Sequence, residues 1–306
     1  MEKTITPNLG HRVNLPTALA MLIKIKQTML LLTSLYVSFL LGGGLAIPLH
    51  KHIILLLLGF LAIASTTVVN MYFDRDIDAV MERTRHRPLV TGVFNSKLTL
   101  ILALIIFVLT TILSAVYINM LFATAIIIGF VFDIVAYTIL LKRRTPFGVI
   151  AGAIAGGMPS LGGWAAATNR IDPAGLALSM LVVAWVPSHI WFLAYYHRDD
   201  YARANVPMLP VISDPLLAGL GIALASVFQA YSILILASEH VIGLLATLYG
   251  LLSSAHLFIL SMRMAEKKNR REALRAFKYA NLHLGITYVL MLLEKIYIPL
   301  HTFSVN

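Results

Sequence analysis

His52-Ile-Ile-Leu-Leu-Leu-Leu-Gly-Phe-Leu-Ala-Ile-Ala-Ser-Thr-Thr-Val-Val-Asn-Met-Tyr72 runs 21 residues without a single Asp, Glu, Lys or Arg, and leads straight into Phe73-Asp74-Arg75-Asp76-Ile77-Asp78. About 20 apolar residues carry an α-helix across a bilayer. In lipid a helix satisfies its backbone polar groups internally, whereas strands must close into a barrel, and runs this long are not barrel strands. The stretch is therefore a membrane-spanning helix that delivers carboxylates to the interface.

Working outward, the same pattern recurs. Apolar runs between polar breaks give nine spans, at 27–46, 52–72, 97–117, 120–141, 147–167, 174–196, 216–237, 240–262 and 279–300. A composition 59% apolar and 12% charged, with mean hydropathy +0.84, fits a chain whose bulk solvent is lipid. The fold class is thus an all-α polytopic membrane protein of nine transmembrane helices. The expected organisation is an N-terminal segment 1–26, one membrane domain 27–300 and a tail 301–306. The first twenty residues lack an apolar core, so no cleavable signal peptide is expected.

Of the 24 lysines and arginines, 21 fall on one side of these spans and only Lys51, Arg170 and Lys295 on the other. The positive-inside rule puts the N-terminus and the basic loops in the cytoplasm, in the cell membrane, and the tail outside. No water-facing domain gathers the net charge of +10, which excludes nucleic acid as partner. With no cysteine, disulfides, thiolate metal sites and a cysteine nucleophile are excluded. Acids and bases crowd one membrane face, unlike a channel lined through its depth. The site opens to the cytoplasm.

Asn70, Asp74 and Asp78 stand at i, i+4 and i+8. On a continuous helix they form one stripe about 12 Å long. Hard oxygens so placed suit Mg²⁺ that also holds a phosphate; the plainer alternative is a solvated helix end paired with nearby arginines. Arg83, Arg85 and Arg87 follow at alternate positions and, if extended, could embrace a polyanion, or else bind anionic lipid. A second acidic turn, His197-Arg-Asp199-Asp200-Tyr201, follows span 6 as the first follows span 2. Two pseudo-equivalent four-helix halves plus one helix, around a central cavity, would explain that repetition. Adjacent Asp199 and Asp200 cannot point the same way on a helix, and Asp200 is preferred for a metal. Asp133, His189, His256 and His283 lie at membrane depth, where ionisable residues are functional candidates.

The segment from Asn70 to Gly92 resembles the first signature of the UbiA superfamily of intramembrane prenyltransferases, and its Met81-Glu-Arg83-Thr-Arg85-His-Arg87-Pro-Leu extension is similar to the haem-farnesylating branch. Arg198-Asp-Asp-Tyr201 with Pro207-Met-Leu-Pro210, and Tyr137-Thr138 with Lys142-Arg143, resemble the same branch. Arg203 stands where many relatives have a further aspartate, Asn205 where glycine is usual and Gly148 where asparagine is common. The resemblance implies farnesyl diphosphate as donor, haem B as acceptor, membrane lipid as surroundings and haem A synthase as a candidate protein partner. It implies Mg²⁺ on Asn70, Asp74, Asp78 and Asp200 or Asp199, with Arg83, Arg87, Lys142 and Arg143 countering the diphosphate. His189, Tyr137 and Trp191 are the expected acceptor residues. Tyr72, Phe73, Tyr195 and Tyr196 are available with Tyr137 to line a dry pocket, and Asp133 is expected to pair with a neighbouring helix. The competing readings are an aromatic quinone precursor or a glycerol-phosphate lipid as acceptor, and, from another class, a secondary transporter.

Overall fold

A computed structural model describes residues 14–297. The expected tail 301–306 lies outside the described residues. Helices account for the architecture, with no strand among the described residues. Eight helices are long and apolar enough to cross a bilayer, or nine if the first bent pair makes one span.

That pair is α1 (Leu15–Leu22) and α2 (Ile25–Leu41), set at 53°. The boundary expected at residue 26 therefore falls inside α2. After it come α3 (Leu49–Phe73), the short α4 (Arg75–Val80), α5 (Ser96–Tyr117) and α6 (Met120–Leu141). The chain continues through α7 (Gly148–Thr168), α8 (Pro173–Tyr196), the short α9 (Arg198–Arg203) and α10 (Leu209–Ile212), α11 (Pro215–Ser238), α12 (Leu244–Lys267) and α13 (Arg270–Tyr297). Local chemistry sets many starts. Asn95, Asn119 and Asp172 each accept the backbone N–H three residues on, at 3.0, 2.8 and 2.9 Å, and Pro173 and Pro215 open helices where their missing N–H costs nothing.

Two boundaries differ from the hydropathy reading. The first span ends at Leu41, because Gly42 and the left-handed Gly43 (φ 101°) break into a 3₁₀ turn. The basic loop expected between the last two spans is almost absent: Ala-, Glu- and Lys-rich sequence favours helix in water, so α12 and α13 extend past the apolar zone to a turn at left-handed Lys268.

Packing runs α5–α3–α2–α7–α8–α11–α12–α13, with α13 back against α8 and α2, and α6 against α7 and α5. Helices α3 and α8 are the most buried spans, α5 and α6 the most lipid-exposed. The short α4 and α9 each follow the second member of a consecutive set of four spans, where the two acidic turns were expected. Small residues let α7 approach α2 closely: a Cβ on Gly163 would lie 1.9 Å from the Leu35 carbonyl oxygen. Gly148 is likewise close to the Leu141 backbone, 3.1 Å from a built Cβ, a contact that leaves little room for asparagine.

The second half of α6, Val131–Leu141, is π-helical. Such turns carry one extra residue each and cluster at functional sites. Here Thr138 Oγ1 donates to the Asp133 carbonyl at 2.6 Å and receives Asn70 Nδ2 at 2.8 Å, joining α6 to α3 at the acidic stripe.

Candidate active site

A cavity of about 680 Å³ opens among α2, α3, α6, α7, α8 and α13. One end is polar, formed by Asn70, Asp74, Asp78, Arg83, Arg87 and Lys142. Its deeper wall is apolar and aromatic, with Phe122, Phe130, Tyr137, Trp185 and Phe277. Of those rings, Phe122, Phe130 and Trp185 sit in apolar runs that give no sequence signal, whereas Phe277 stands between Arg275 and Lys278. Of the other tyrosines and the phenylalanine expected in the lining, none reaches it: Tyr195 is packed in the core, Phe73 faces out, and Tyr72 lies under Arg75, 4.0 Å from guanidinium carbon to ring centroid.

The stripe survives a break. Helix α3 ends at Phe73 and α4 begins at Arg75, yet Asp78 N still donates to Asp74 O at 2.8 Å and Asp74 N to Asn70 O at 3.0 Å, so the helical register continues. All three side chains are buried. Lys142 Nζ donates to Asp74 Oδ2 at 2.6 Å and Arg87 Nη1 to Asp78 Oδ2 at 2.5 Å. Burial opposes the charge on Lys142, but the Asp74 carboxylate outweighs it and holds the ammonium above its ordinary range. Lys24, seen in the sequence only as one more basic residue, donates to Asn70 Oδ1 at 2.7 Å. Asp76 faces away. It pairs with Arg143 at 2.5 and 2.7 Å on the outer surface, and the guanidinium keeps its carboxyl below the usual range.

Arg143 accordingly does not line the cavity, because Asp76 and the Phe73 carbonyl hold it outside. The arginine segment is not extended either. Met81 O accepts from Thr84 and Arg85, and Thr84 O from Arg87, so consecutive turns send Arg83 and Arg87 to the cavity and leave Arg85 exposed. The second acidic turn separates its two carboxylates. Asp200 is buried, accepts from Glu82 N at 3.4 Å and pairs with Arg203, while Asp199 is exposed and takes both arms of Arg270 at 2.7 and 2.8 Å. Ile77, Met81, Tyr201 and Val206 pack the two turns together. Neither aspartate lines the cavity itself. Asn205 adopts φ 52°, the left-handed region that glycine favours and asparagine tolerates.

At the apolar end His189 lies between two rings, 4.4 Å from Trp185 and 4.6 Å from Phe277 by centroid. Its Nδ1 is buried without a partner, and the Asn281 side chain reaches the ring. Trp191, expected beside it, faces Leu209, Ile222 and Gly221 in the core instead, because it stands two residues, about 200° of helix, from His189. His256 and His283 also lie off the cavity, against Tyr279 and Thr287. Asp133 lines it, and among the described residues its carboxylate has no hydrogen-bond or ion-pair partner, contrary to the helix partner expected.

Whether this site suits a divalent ion can be tested on its own atoms. Among the described residues no three His, Cys, Asp or Glu side chains converge as a complete metal cage. Asp74 Oδ1, however, is buried with no hydrogen-bond partner, on the same helical stripe as the buried amide of Asn70 and the buried carboxylate of Asp78. One or two carboxylates with remaining ligands from phosphate are what Mg²⁺ takes. The residues fit.

The UbiA prenyltransferase family matches residues 30–284. The chain belongs to that family. It is 51% identical to a protoheme IX farnesyltransferase of Hyperthermus butylicus over 90% of this chain and 93% of the relative. The corresponding protein of Aeropyrum pernix is 39% identical over 90% of each. A solved UbiA homologue from Archaeoglobus fulgidus bound to DMAPP and Mg²⁺ shares the fold at TM-score 0.65 and 15% identity, covering 90% of this chain and 99% of that one. Another, from Aeropyrum pernix K1, gives 0.67 at 19% identity over 88% and 98%. This chain is accordingly a multi-pass membrane prenyltransferase of the UbiA fold.

Proposed function

We propose that this chain transfers the farnesyl group of farnesyl diphosphate to a vinyl group of haem B, with water completing the side chain to give haem O and diphosphate. The observation that carries the reading is a single cavity whose polar end holds the Asn70–Asp74–Asp78 stripe and its bases, and whose other end is an aromatic chamber holding His189. The 51% identity over nine-tenths of the chain supports haem as acceptor over a quinone ring or a lipid. A transporter would need ionisable groups shared between both faces, whereas the acids and bases of this cavity gather near one end.

Ionising an allylic diphosphate requires stabilising negative charge on the leaving group. Mg²⁺ on Asn70, Asp74 and Asp78, with Asp200 as the neighbouring carboxylate, would neutralise the diphosphate. Lys142, Arg87 and Arg83 stand ready to bind phosphate oxygens. Phe122, Phe130 and Tyr137 surround the prenyl chain, exclude water from the allylic cation and offer it ring faces. His189, packed against the Trp185 and Phe277 rings at interplanar angles of 31° and 41°, positions the acceptor. The basic end faces the cytoplasm in the plasma membrane, following the 21-to-3 split of lysine and arginine. Haem A synthase is the candidate partner to receive the product.

The test is incubation of purified protein in lipid with haem B, farnesyl diphosphate and Mg²⁺, then mass spectrometry of the extracted porphyrin. A farnesyl-plus-water gain that EDTA abolishes is expected. Folded protein that binds haem yet makes no adduct would sink the acceptor assignment.

A further inference from the structure

In the stripe each side chain carries one base. Asp74 has Lys142, Asp78 has Arg87, and Asn70 has Lys24. The first two are charge pairs. The third is not: an ammonium is spent on a neutral amide oxygen, 46 residues away in sequence. Around the cavity, bases outnumber Asp74, Asp78 and Asp133 by two, counting Lys24, Lys26, Arg83, Arg87 and Lys142. That surplus calls for a polyanion, and Lys24 is the base of the stripe with no anion of its own.

The backbone supplies an independent observation. Lys24 sits at φ 45°, ψ 56°, the left-handed region that non-glycine residues avoid, in a stretch Met21-Leu-Ile-Lys24-Ile-Lys26 with neither glycine nor proline. The bend is held from outside. Leu22 is buried with Val68, Val69, Met71 and Leu89, Thr28 Oγ1 donates to the Ile23 carbonyl at 2.6 Å, and Gln27 N donates to Lys24 O at 2.8 Å to open α2. Held strain of this kind marks positions where a side chain must be aimed. Here it aims the ammonium at Asn70.

We infer that Lys24 is a further donor-binding residue, whose ammonium leaves the Asn70 oxygen for a phosphate oxygen of the incoming diphosphate and so frees Asn70. The inference rests on the diphosphate donor of the proposed function and is independent of the acceptor.

Binding of magnesium pyrophosphate would be measured by calorimetry on wild type, Lys24→Met and Lys24→Arg in phosphatidylcholine nanodiscs, where no anionic headgroup competes. Steady-state constants for farnesyl diphosphate and haem B follow. Loss of one charge-assisted hydrogen bond should weaken pyrophosphate and raise the donor KM by about tenfold or more in Lys24→Met. The haem KM should stay within about twofold, and Lys24→Arg should recover most of the loss. Should Lys24→Met not fold, Lys24→Gln takes its place. Wild type that binds pyrophosphate no better than Lys24→Met overturns the role of Lys24 alone, as does a rise in the haem KM in place of the donor's, or equal losses in the Met and Arg variants. Wild type that binds no pyrophosphate at all overturns the donor reading itself, and this inference with it.

Discussion

Asp76 and Asp78 are two residues apart and do opposite things, which makes them a clean pair at the scale of single side chains. Asp78 is buried against Arg87 at the cavity; Asp76 is exposed against Arg143 outside it. Asp78→Asn should lower prenyl transfer by about a hundredfold, the order expected for one preorganised electrostatic group, with the fold intact by circular dichroism. Asp76→Asn should leave turnover within about twofold and cost at most about 1 kcal/mol, as exposed pairs do. Equal loss of turnover in both would mean that the segment acts only through its own stability. Asp74→Ala belongs with Asp78: activity falls while folding holds, and a surface ion pair would instead leave activity unchanged.

At the scale of helices, Gly163→Ala should be severe. The added Cβ meets a backbone oxygen rather than a movable side chain, so α7 must shift from α2 at a cost of at least about 1–3 kcal/mol, read as a lowered Tm in detergent. The clasp between α9 and α13 gives a pH signature. Arg270 holds the Asp199 carboxyl below its ordinary value. A depressed carboxylate contributes stability above the unfolded pKa of about 3.9 and loses it as pH falls through the folded value. Arg270→Ala should therefore lower Tm relative to wild type at pH 7, and the difference should narrow as pH falls below the ordinary carboxylate value of about 3.9; a difference that does not narrow in acid would refute a charge origin. Helices were also what the sequence disclosed best, since lipid enforces length and apolarity together. The stripe of Asn70, Asp74 and Asp78 was legible for a related reason, an i, i+4 spacing that outlives the small break at Asp74. Arg143 misled because adjacent basic residues at a helix end diverge by about 100°, and a neighbouring carboxylate decided which way it went. The π-helical turns of α6 and the bend at Lys24 have no local breaker to announce them; tertiary contacts impose both.

For the molecule as a whole, the expected sidedness can be read directly because the chain has no cysteine. Single cysteines at Lys97 and Asn169, at opposite ends of the bundle, should react with a membrane-impermeant maleimide from opposite faces, Lys97 from the cytoplasmic side. Labelling of both from one face would overturn the nine-span topology. Of the aromatic chamber only Tyr137 was legible in the sequence: Phe122, Phe130 and Trp185 sit in apolar runs that lipid alone would justify, Phe277 stands between two basic residues, and only the assembly of six helices decides which rings face inward.

Helix α13 closes that assembly. It supplies Phe277 and Asn281 to the cavity, its Ala280 carbonyl accepts from Trp185 Nε1 at 2.9 Å, and its buried Glu294 accepts from Gly243 N at 2.8 Å and Leu245 N at 2.7 Å, capping the start of α12. Synthesis is vectorial, so α12 emerges from the ribosome before the carboxylate that completes its first turn exists. Until α13 inserts, two amide donors lack their carboxylate partner and the cavity lacks one side. The chamber therefore closes only once α13 has inserted, and nothing can be enclosed beside His189 before then.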